Sequence, residues 1–244
     1  MSTLKGIILA GGLGTRLLPL TKVTNKHLLP VGLEPMIYHQ VKQLVTADIK
    51  DILIITSTNH MGDVVNLLGS GREFGCEFTY KVQEDALGIA HALAMAEHYV
   101  GGNSMVVLLG DNIFEYSLKP YIENFKKQKN GARVLLKEVG DPERYGVAAL
   151  DEYQVIEITE KPANPQSPYA VVGVYMYPPD VFDIIRTIEF SSRGELEITS
   201  VNNEYIKRGT LKYDILQGRW TDAGTFDSLA EANRILQASE NKLK

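Results

Sequence analysis

Two runs, "ILIIT" at Ile52–Thr56 and "MVVLL" at Met105–Leu109, constrain the fold of this chain most. A strand with one wet face alternates apolar and polar residues, whereas an unbroken apolar strand must be covered on both faces. Strands are expected at Gly6–Ala10, Asp51–Thr56, Glu77–Val82 and Ser104–Leu109. Between and after them, helical periodicity marks Met36–Ala47, Met61–Leu68, Gly88–His98 and Leu118–Lys129. Strand–helix alternation implies a mostly parallel central sheet with right-handed crossovers, flanked by helices: an α/β fold. The second half changes character. "ARVLLKEV", "YGVAAL", "YQVIEITEKP" and "YAVVGVYMYP" are strand-like and separated by turn signals, so added β-structure is expected there. "PPDVFDIIRTI" and "ELEITSVNNEYIKRG" read as helices, "TLKYDIL" as a strand, and the chain from Thr225 on as a terminal helix.

The 244 residues suit one domain: a nucleotide-binding part over 1–130, a second part over 131–224 and the terminal helix over 225–244. A net charge of −5 argues against a nucleic-acid partner but leaves room for a local basic pocket. The single cysteine, Cys76, excludes an intrachain disulfide and a cysteine-based zinc site. The apolar run after Lys5 breaks into glycines at Gly11, and no stretch approaches the ~20 apolar residues of a membrane span. A cytoplasmic protein with no membrane partner is expected.

In an open α/β sheet, ligands sit at the carboxyl ends of the strands, so the loops after Ala10, Val82 and Leu109 matter most. The first is "GIILAGGLGTRLLPLTKVTNKHLLPV", from Gly6 to Val31. It lacks the Gly-Lys-Ser/Thr of a P-loop. It also fails the dinucleotide fingerprint, because Leu17 stands where the third glycine belongs. Two readings remain for the glycines. They form a tight turn beside an exposed arginine, or a loop whose N–H groups approach phosphate oxygens while Arg16 forks them and Lys26 adds charge. Asp111, in "MVVLLGDNIF", ends a central strand, where a carboxylate is costly unless it binds something. A divalent cation such as Mg²⁺ suits it; a turn or cap role is the alternative.

"GGLGTRL" followed by "NKHLLPV" resembles the signature of the sugar-1-phosphate nucleotidylyltransferases. The resemblance runs from Gly6 to Gly224. It implies a Rossmann-like fold of the nucleotide-diphospho-sugar transferase type and a Mg²⁺-dependent enzyme that joins a nucleoside triphosphate to a sugar 1-phosphate. It places the nucleotide on Leu9, Ala10, Gly11, Gly12, Gly14, Thr15, Arg16, Lys26, Gln83, Gly88 and Asp111. Gln83 would read the base, although the proline common near it in relatives is missing from "QEDALGIA". The sugar phosphate is implied on Asn112, Tyr145, Gly146, Glu160, Lys161 and Val172, from "RYGVA", "ITEKP" and "YAVVGVYMY". Asp222, in "RWTDAGT", would share the metal with Asp111, and Arg16, Lys26 and Lys161 would be the catalytic cations. Ser200 departs from the family's Gly-Glu-x-Glu-Ile-Thr-Asp run. "TNKHLLPVG", "HMGDVV" and "LLGSGREFG", with His27 where glutamine is common, resemble the short branch that uses dTTP and glucose 1-phosphate to make dTDP-glucose for deoxysugars such as rhamnose. UTP or another sugar phosphate is the alternative, and a non-catalytic nucleotide-sugar binder a more distant one. Long members add C-terminal helices with an allosteric site, which is not expected in a chain ending at Lys244; a homo-oligomer stays open.

Overall fold

The computed structural model describes residues 4–241, so the end of the expected terminal helix, 242–244, lies outside the described residues. Along the chain, the strands are β1 Lys5–Ala10, β2 Pro30–Val31, β3 Glu34–Pro35, β4 Asp51–Ser57, β5 Glu77–Gln83, β6 Met105–Leu109, β7 Asn112–Phe114, β8 Arg133–Glu138, β9 Gly146–Asp151, β10 Gln154–Glu160, β11 Tyr169–Tyr177, β12 Lys212–Ile215 and β13 Trp220–Asp222. The α-helices are α1 Met36–Thr46, α2 Met61–Leu68, α3 Ile89–Ala94, α4 Glu97–Val100, α5 Lys119–Lys127, α6 Val181–Ile185, α7 Ile198–Lys207 and α8 Phe226–Asn241. The fold is α/β, with parallel strands in the first half and mainly antiparallel ones in the second. Compactness divides the chain into two units that interleave in sequence. Lys5–Ala86, Leu108–Pro120 and the segment from Gly218 make one; Leu87–Val107 and Tyr121–Gln217 make most of the other.

In the first of these units, β1 pairs in parallel with β4, and β4 with β5. Ile52, Leu53, Ile54 and Ile55 are fully buried, as unbroken apolar strands require. Each such side chain contributes about 2 kcal/mol of transfer free energy. Helix α1 turns Met36, Ile37, Gln40, Val41 and Leu44 inward at helical spacing. It lies so close to the sheet that a Cβ at Gly6 would come within 2.8 Å of Leu44 Cδ1. Helix α8 starts where Thr225 and Ser228 cap each other: the Ser228 N–H donates to Thr225 Oγ1 (3.2 Å) and the Thr225 N–H to Ser228 Oγ (3.0 Å). Its Ala232 and Ile235 close a core with Val31, Met36, Ile113 and Ala223. This core pins the short pair β7–β13, whose register sets Asn112 opposite Asp222.

The other unit is organised by β11, antiparallel to β8, and by the β9–β10 hairpin. Tyr177 stacks on Tyr205 of α7, with ring centroids 5.8 Å apart. The hairpin carries an irregularity between Val155 and Glu157, and Asn203 of α7 secures the strand beyond it. The Ile158 N–H donates to Asn203 Oδ1 (2.9 Å), and Asn203 Nδ2 donates to the Ile158 carbonyl (2.8 Å). The expected helix over 88–98 is instead α3 and α4. The Met95 and Ala96 N–H groups reach carbonyls only three residues back, which tightens the turn and interrupts the α-helix. "PPDVFDIIRTI" yields only the five residues of α6. No helix among the described residues is long and apolar enough to cross a membrane.

Asn203→Ala removes both hydrogen bonds to Ile158 and leaves two backbone groups in search of partners. A loss of about 1–3 kcal/mol in urea unfolding is expected. An unchanged midpoint would show that water replaces the amide without cost.

Candidate functional site

Parallel register aligns strand ends. Ala10 lies opposite Thr56, and Ser57 opposite Gln83. The Gly110 N–H donates to the Leu9 carbonyl at 2.9 Å, which brings the turn after β6 to the same edge. Leu9, Ala10, Gly11, Gln83 and Asp111 therefore gather at the carboxyl ends, where an open α/β sheet holds ligands. Gln83 is 8 % exposed, and its Oε1 lies 3.1 Å from the point a Cβ on Gly11 would occupy.

The glycine loop is shaped by Gly14, whose φ of 64° a side-chain-bearing residue rarely adopts. Its carbonyl accepts from the Leu17 N–H (2.9 Å) and from Thr21 Oγ1 (2.8 Å), which closes the turn Thr15–Leu17. Buried Leu17 anchors that turn and leaves Arg16 exposed. The Arg16 guanidinium reaches back over Gly224, with Nη2 2.9 Å from where a Cβ there would stand. Lys26 runs along Gly12, where a Cβ would meet its Nζ at 3.2 Å. Its ammonium pairs with Asp111 Oδ2, both side chains being under 15 % exposed (12 % and 14 %). Asp111 Oδ1 accepts from Asn112 Nδ2 at 2.9 Å, and Asn112 Oδ1 accepts from Trp220 Nε1 at 2.8 Å. Gln40 Nε2 donates to the Asn112 carbonyl. The Ala223 N–H donates to the Asp111 carbonyl at 2.7 Å, so Asp222 arrives on the strand beside Asp111 despite the sequence distance between them.

Burial favours the neutral acid at Asp111. The Lys26 ammonium, the His27 ring and hydrogen bonds from Lys26 and Asn112 outweigh it and hold the carboxyl well below the usual carboxylate range. His27 responds the other way. Burial, then the Lys26 charge, lowers its pKa from 6.5 to about 3 against the pull of Asp111.

The residues expected to hold the sugar phosphate, apart from Asn112, lie in the other unit. Glu160 ends β10, and its Oε2 accepts from Thr199 Oγ1 at 2.6 Å. A Cβ on Gly146 would lie 3.3 Å from both of those oxygens. Lys161 has φ of 42°, a left-handed conformation that costs a non-glycine residue about 1–2 kcal/mol. Its N–H donates to the Tyr145 carbonyl at 2.9 Å, and its Nζ stands 3.7 Å from Glu160 Oε1. Arg144 lies over the Tyr145 ring, 5.2 Å from its centroid. The Val172 side chain is fully buried. Gly88 has φ of 101°, and a Cβ there would come within 2.5 Å of the Leu196 carbonyl, so the position admits only glycine. Asn112 is 2 % exposed and its amide is engaged by Asp111 and Trp220. Sequence reasoning passed over Thr199 and Arg193. Arg193 meets Glu160 (3.4 Å), Glu195 (3.1 Å) and Glu197 (3.3 Å). Thr199 lies in "ELEITSVNNEYIKRG" and Arg193 just before it, but only the start of α7 at Ile198 decides which of its side chains reaches Glu160.

Because His27 stays neutral in the folded protein, the unfolded chain takes up a proton that the folded one refuses as pH falls from 6.5 towards about 3. Stability then falls with pH by up to about 1.4 kcal/mol per unit. Urea unfolding at pH 7 and pH 5 is expected to show a drop about 2 kcal/mol larger in the wild type than in His27→Gln. Parallel curves would mean that His27 is not the source.

A model of the nucleotidyl transferase family matches residues 5–239. The chain is 41% identical over 243 residues to the glucose-1-phosphate thymidylyltransferase of Neisseria meningitidis, spanning 98% of this chain and 84% of that one. It is 43% identical over 242 residues to the enzyme of the same name from Xanthomonas campestris, spanning 97% and 82%. Among solved structures, a candidate glucose-1-phosphate thymidylyltransferase from Bacillus anthracis in complex with sucrose is 59% identical, with a TM-score of 0.92 over 95% of this chain and 94% of that one. UDP-glucose pyrophosphorylase complexed with UDP-glucose shares 27% identity, with a TM-score of 0.85 over 96% and 98%. The chain belongs to the nucleotidyl transferase family.

Proposed function

We propose that this nucleotidyltransferase moves a deoxythymidylyl group from dTTP to glucose 1-phosphate, giving dTDP-glucose and pyrophosphate in the cytoplasm for deoxysugar synthesis. The observation that carries the reading is the glycine loop laid along Lys26, with Arg16 over Gly224 and Asp222 on the strand paired with the residue next to Asp111. The names of the 41–43% identical relatives support the choice of base and sugar. A buried glutamine amide at the end of β5 supports recognition of a pyrimidine edge, since it offers both a donor and an acceptor.

Asp111 and Asp222 fit Mg²⁺. They are hard oxygen donors, and two carboxylates suit an ion that completes its octahedron with substrate phosphates and water. Among the described residues, no group of three His, Cys, Asp or Glu forms a cage made of protein alone. When bound, the ion supplies charge neutralisation at the α-phosphate.

A phosphate oxygen of glucose 1-phosphate bonds to the α-phosphorus, and the bond from that phosphorus to the bridging oxygen of the β-phosphate breaks. The electron pair leaves with pyrophosphate. The nucleophile is already an anion, so no general base is required, and catalysis is positioning and neutralisation. Arg16 and Lys26 hold the departing pyrophosphate, and Lys161 orients the sugar phosphate. Glu160 accepts hydrogen bonds from sugar hydroxyls while Thr199 fixes its carboxylate. Asn112 acts through Asp111, whose oxygen it holds. The strained backbone of Lys161 is consistent with a side chain kept in place for a task.

Pyrophosphate release with glucose 1-phosphate and Mg²⁺ is expected to be fastest with dTTP among dTTP, UTP, ATP, CTP and GTP. A preference for UTP would reassign the base, and no release with any of them would remove the activity. Arg16→Ala and Lys161→Ala are each expected to lower kcat by about 100-fold or more with an unchanged far-UV CD spectrum. Full turnover in either would remove that residue from the mechanism. Asp222→Asn is expected to need more Mg²⁺ for half-maximal rate; an unchanged Mg²⁺ curve would break the assignment of two carboxylates.

A further inference from the structure

Lys26 is flanked by two polar side chains that water hardly reaches: Asn25 is 2 % exposed and His27 1 %. Their hydrogen bonds run in different directions from the lysine. Asn25 Nδ2 donates to the carbonyl of Ala10, the last residue of β1, at 3.1 Å. That bond fixes which way the amide faces, and its oxygen is turned to His27. Asn25 Oδ1 accepts from the His27 N–H at 2.9 Å and stands 2.6 Å from His27 Nδ1. An amide oxygen has no proton to give, so Nδ1 carries the proton. The opposite edge of the ring packs on Gly110, where a Cβ would lie 2.7 Å from Cδ2 and 3.1 Å from Nε2. Gly110 precedes Asp111 and is itself tied to β1 through Leu9.

We propose that Asn25 and His27 form one positioning unit, a brace that ties the backbone on both sides of Lys26 to the end of β1 and to the turn carrying Asp111. The proposal rests on the reading of Lys26 and Asp111 as the charged pair of the nucleotide site. A lysine stem has four rotatable carbons and little intrinsic order, so its aim depends on where its backbone is fixed. The brace fixes that backbone against the two segments that Lys26 must address, the glycine loop after Ala10 and the carboxylate after Gly110. Two buried polar side chains are a costly way to fill a core, since an unpartnered polar group loses more than an apolar one. Their bonds specify register, which apolar packing does not.

Asn25→Ala, His27→Ala and the double variant separate this role from plain stability. Amide exchange read by NMR is expected to quicken at Gly110 and at residue 27 in each single variant, whether or not the protein turns over. With glucose 1-phosphate and dTTP, kcat is expected to fall about 10- to 100-fold in each, because a displacement near 1 Å at the reacting groups carries that cost. KM for glucose 1-phosphate should stay within twofold, because its other residues lie in the other unit. The double variant should be no slower than the slower single one. Wild-type exchange and kcat in either single variant, or losses that multiply in the double, would overturn the brace. If His27→Ala does not fold, the nitrogen spectrum of the wild-type ring decides with Asn25→Ala: a proton on Nε2 in place of Nδ1 would overturn it. If the wild type releases no pyrophosphate from any nucleotide, the functional reading falls, and the exchange rates alone settle the brace.

Discussion

The carboxyl end of the parallel strands is organised around an ion pair that water barely reaches. Lys26 and Asp111 meet where their side chains are 12 % and 14 % exposed. Removing two charges from water costs several kcal/mol each, and mutual attraction offsets this only where other hydrogen bonds help. The surroundings supply them. Asn112 holds the second carboxylate oxygen, Trp220 holds Asn112, and Gln40 holds the Asn112 backbone. Glycine at position 12 leaves room for the pair, since a Cβ there would stand 3.1 Å from Lys26 Cε and 3.2 Å from its Nζ. A pair like this is a weak source of stability, since apolar residues of similar volume would do as well. That mismatch is the physical ground for reading it as part of a ligand site.

The pair also explains why the register of short elements matters. Trp220 and Asp222 belong to a strand of three residues, too short to be stable alone. It holds its place because Ile113 and Ala223 are gripped in the core closed by α8. A shift of one residue in the β7–β13 register would turn Asp222 to the opposite face and detach Trp220 from Asn112. The last helix thus bears on the placement of Asp222 beside Asp111.

What the sequence made legible follows from what is local. Strands β1, β4 and β6 carried their own signature because both faces are apolar, β5 carried that of an alternating strand, and the ends of all four landed within a residue or two. The glycine loop with Arg16 and Lys26, and Asp111 at a strand end, were legible for the same reason. The pairing that brings the strand of Asp222 beside Asp111 had no local signature, because it joins residues far apart in sequence, and only the family resemblance implied it. The break between α3 and α4 had none either, where the apolar periodicity continues while the hydrogen bonds tighten. For Asn25 and His27 the sequence offered only a place in the family signature, with His27 where glutamine is common. What they do rests on two buried bonds, one from Asn25 to the end of β1 and one between Asn25 and His27, which no local pattern announces.

A chain of net charge −5 is read here as the host of two anionic substrates, and the ion pairs show how that is managed. Two of the cations assigned to phosphate already face carboxylates: Lys26 faces Asp111, and Lys161 stands 3.7 Å from Glu160. Binding an anion at such a cation is therefore an exchange of partners, and its free energy is a difference between two pairings. The carboxylates keep the cations extended and aimed before substrate arrives, which lowers the side-chain entropy lost on binding. They also keep the local field from attracting anions indiscriminately. A lone phosphate must displace a carboxylate that is already in place and hydrogen-bonded. A metal-bound triphosphate brings its own positive charge for the carboxylates it displaces, so the same arrangement that weakens simple anions leaves the reacting complex with compensated charges on both sides.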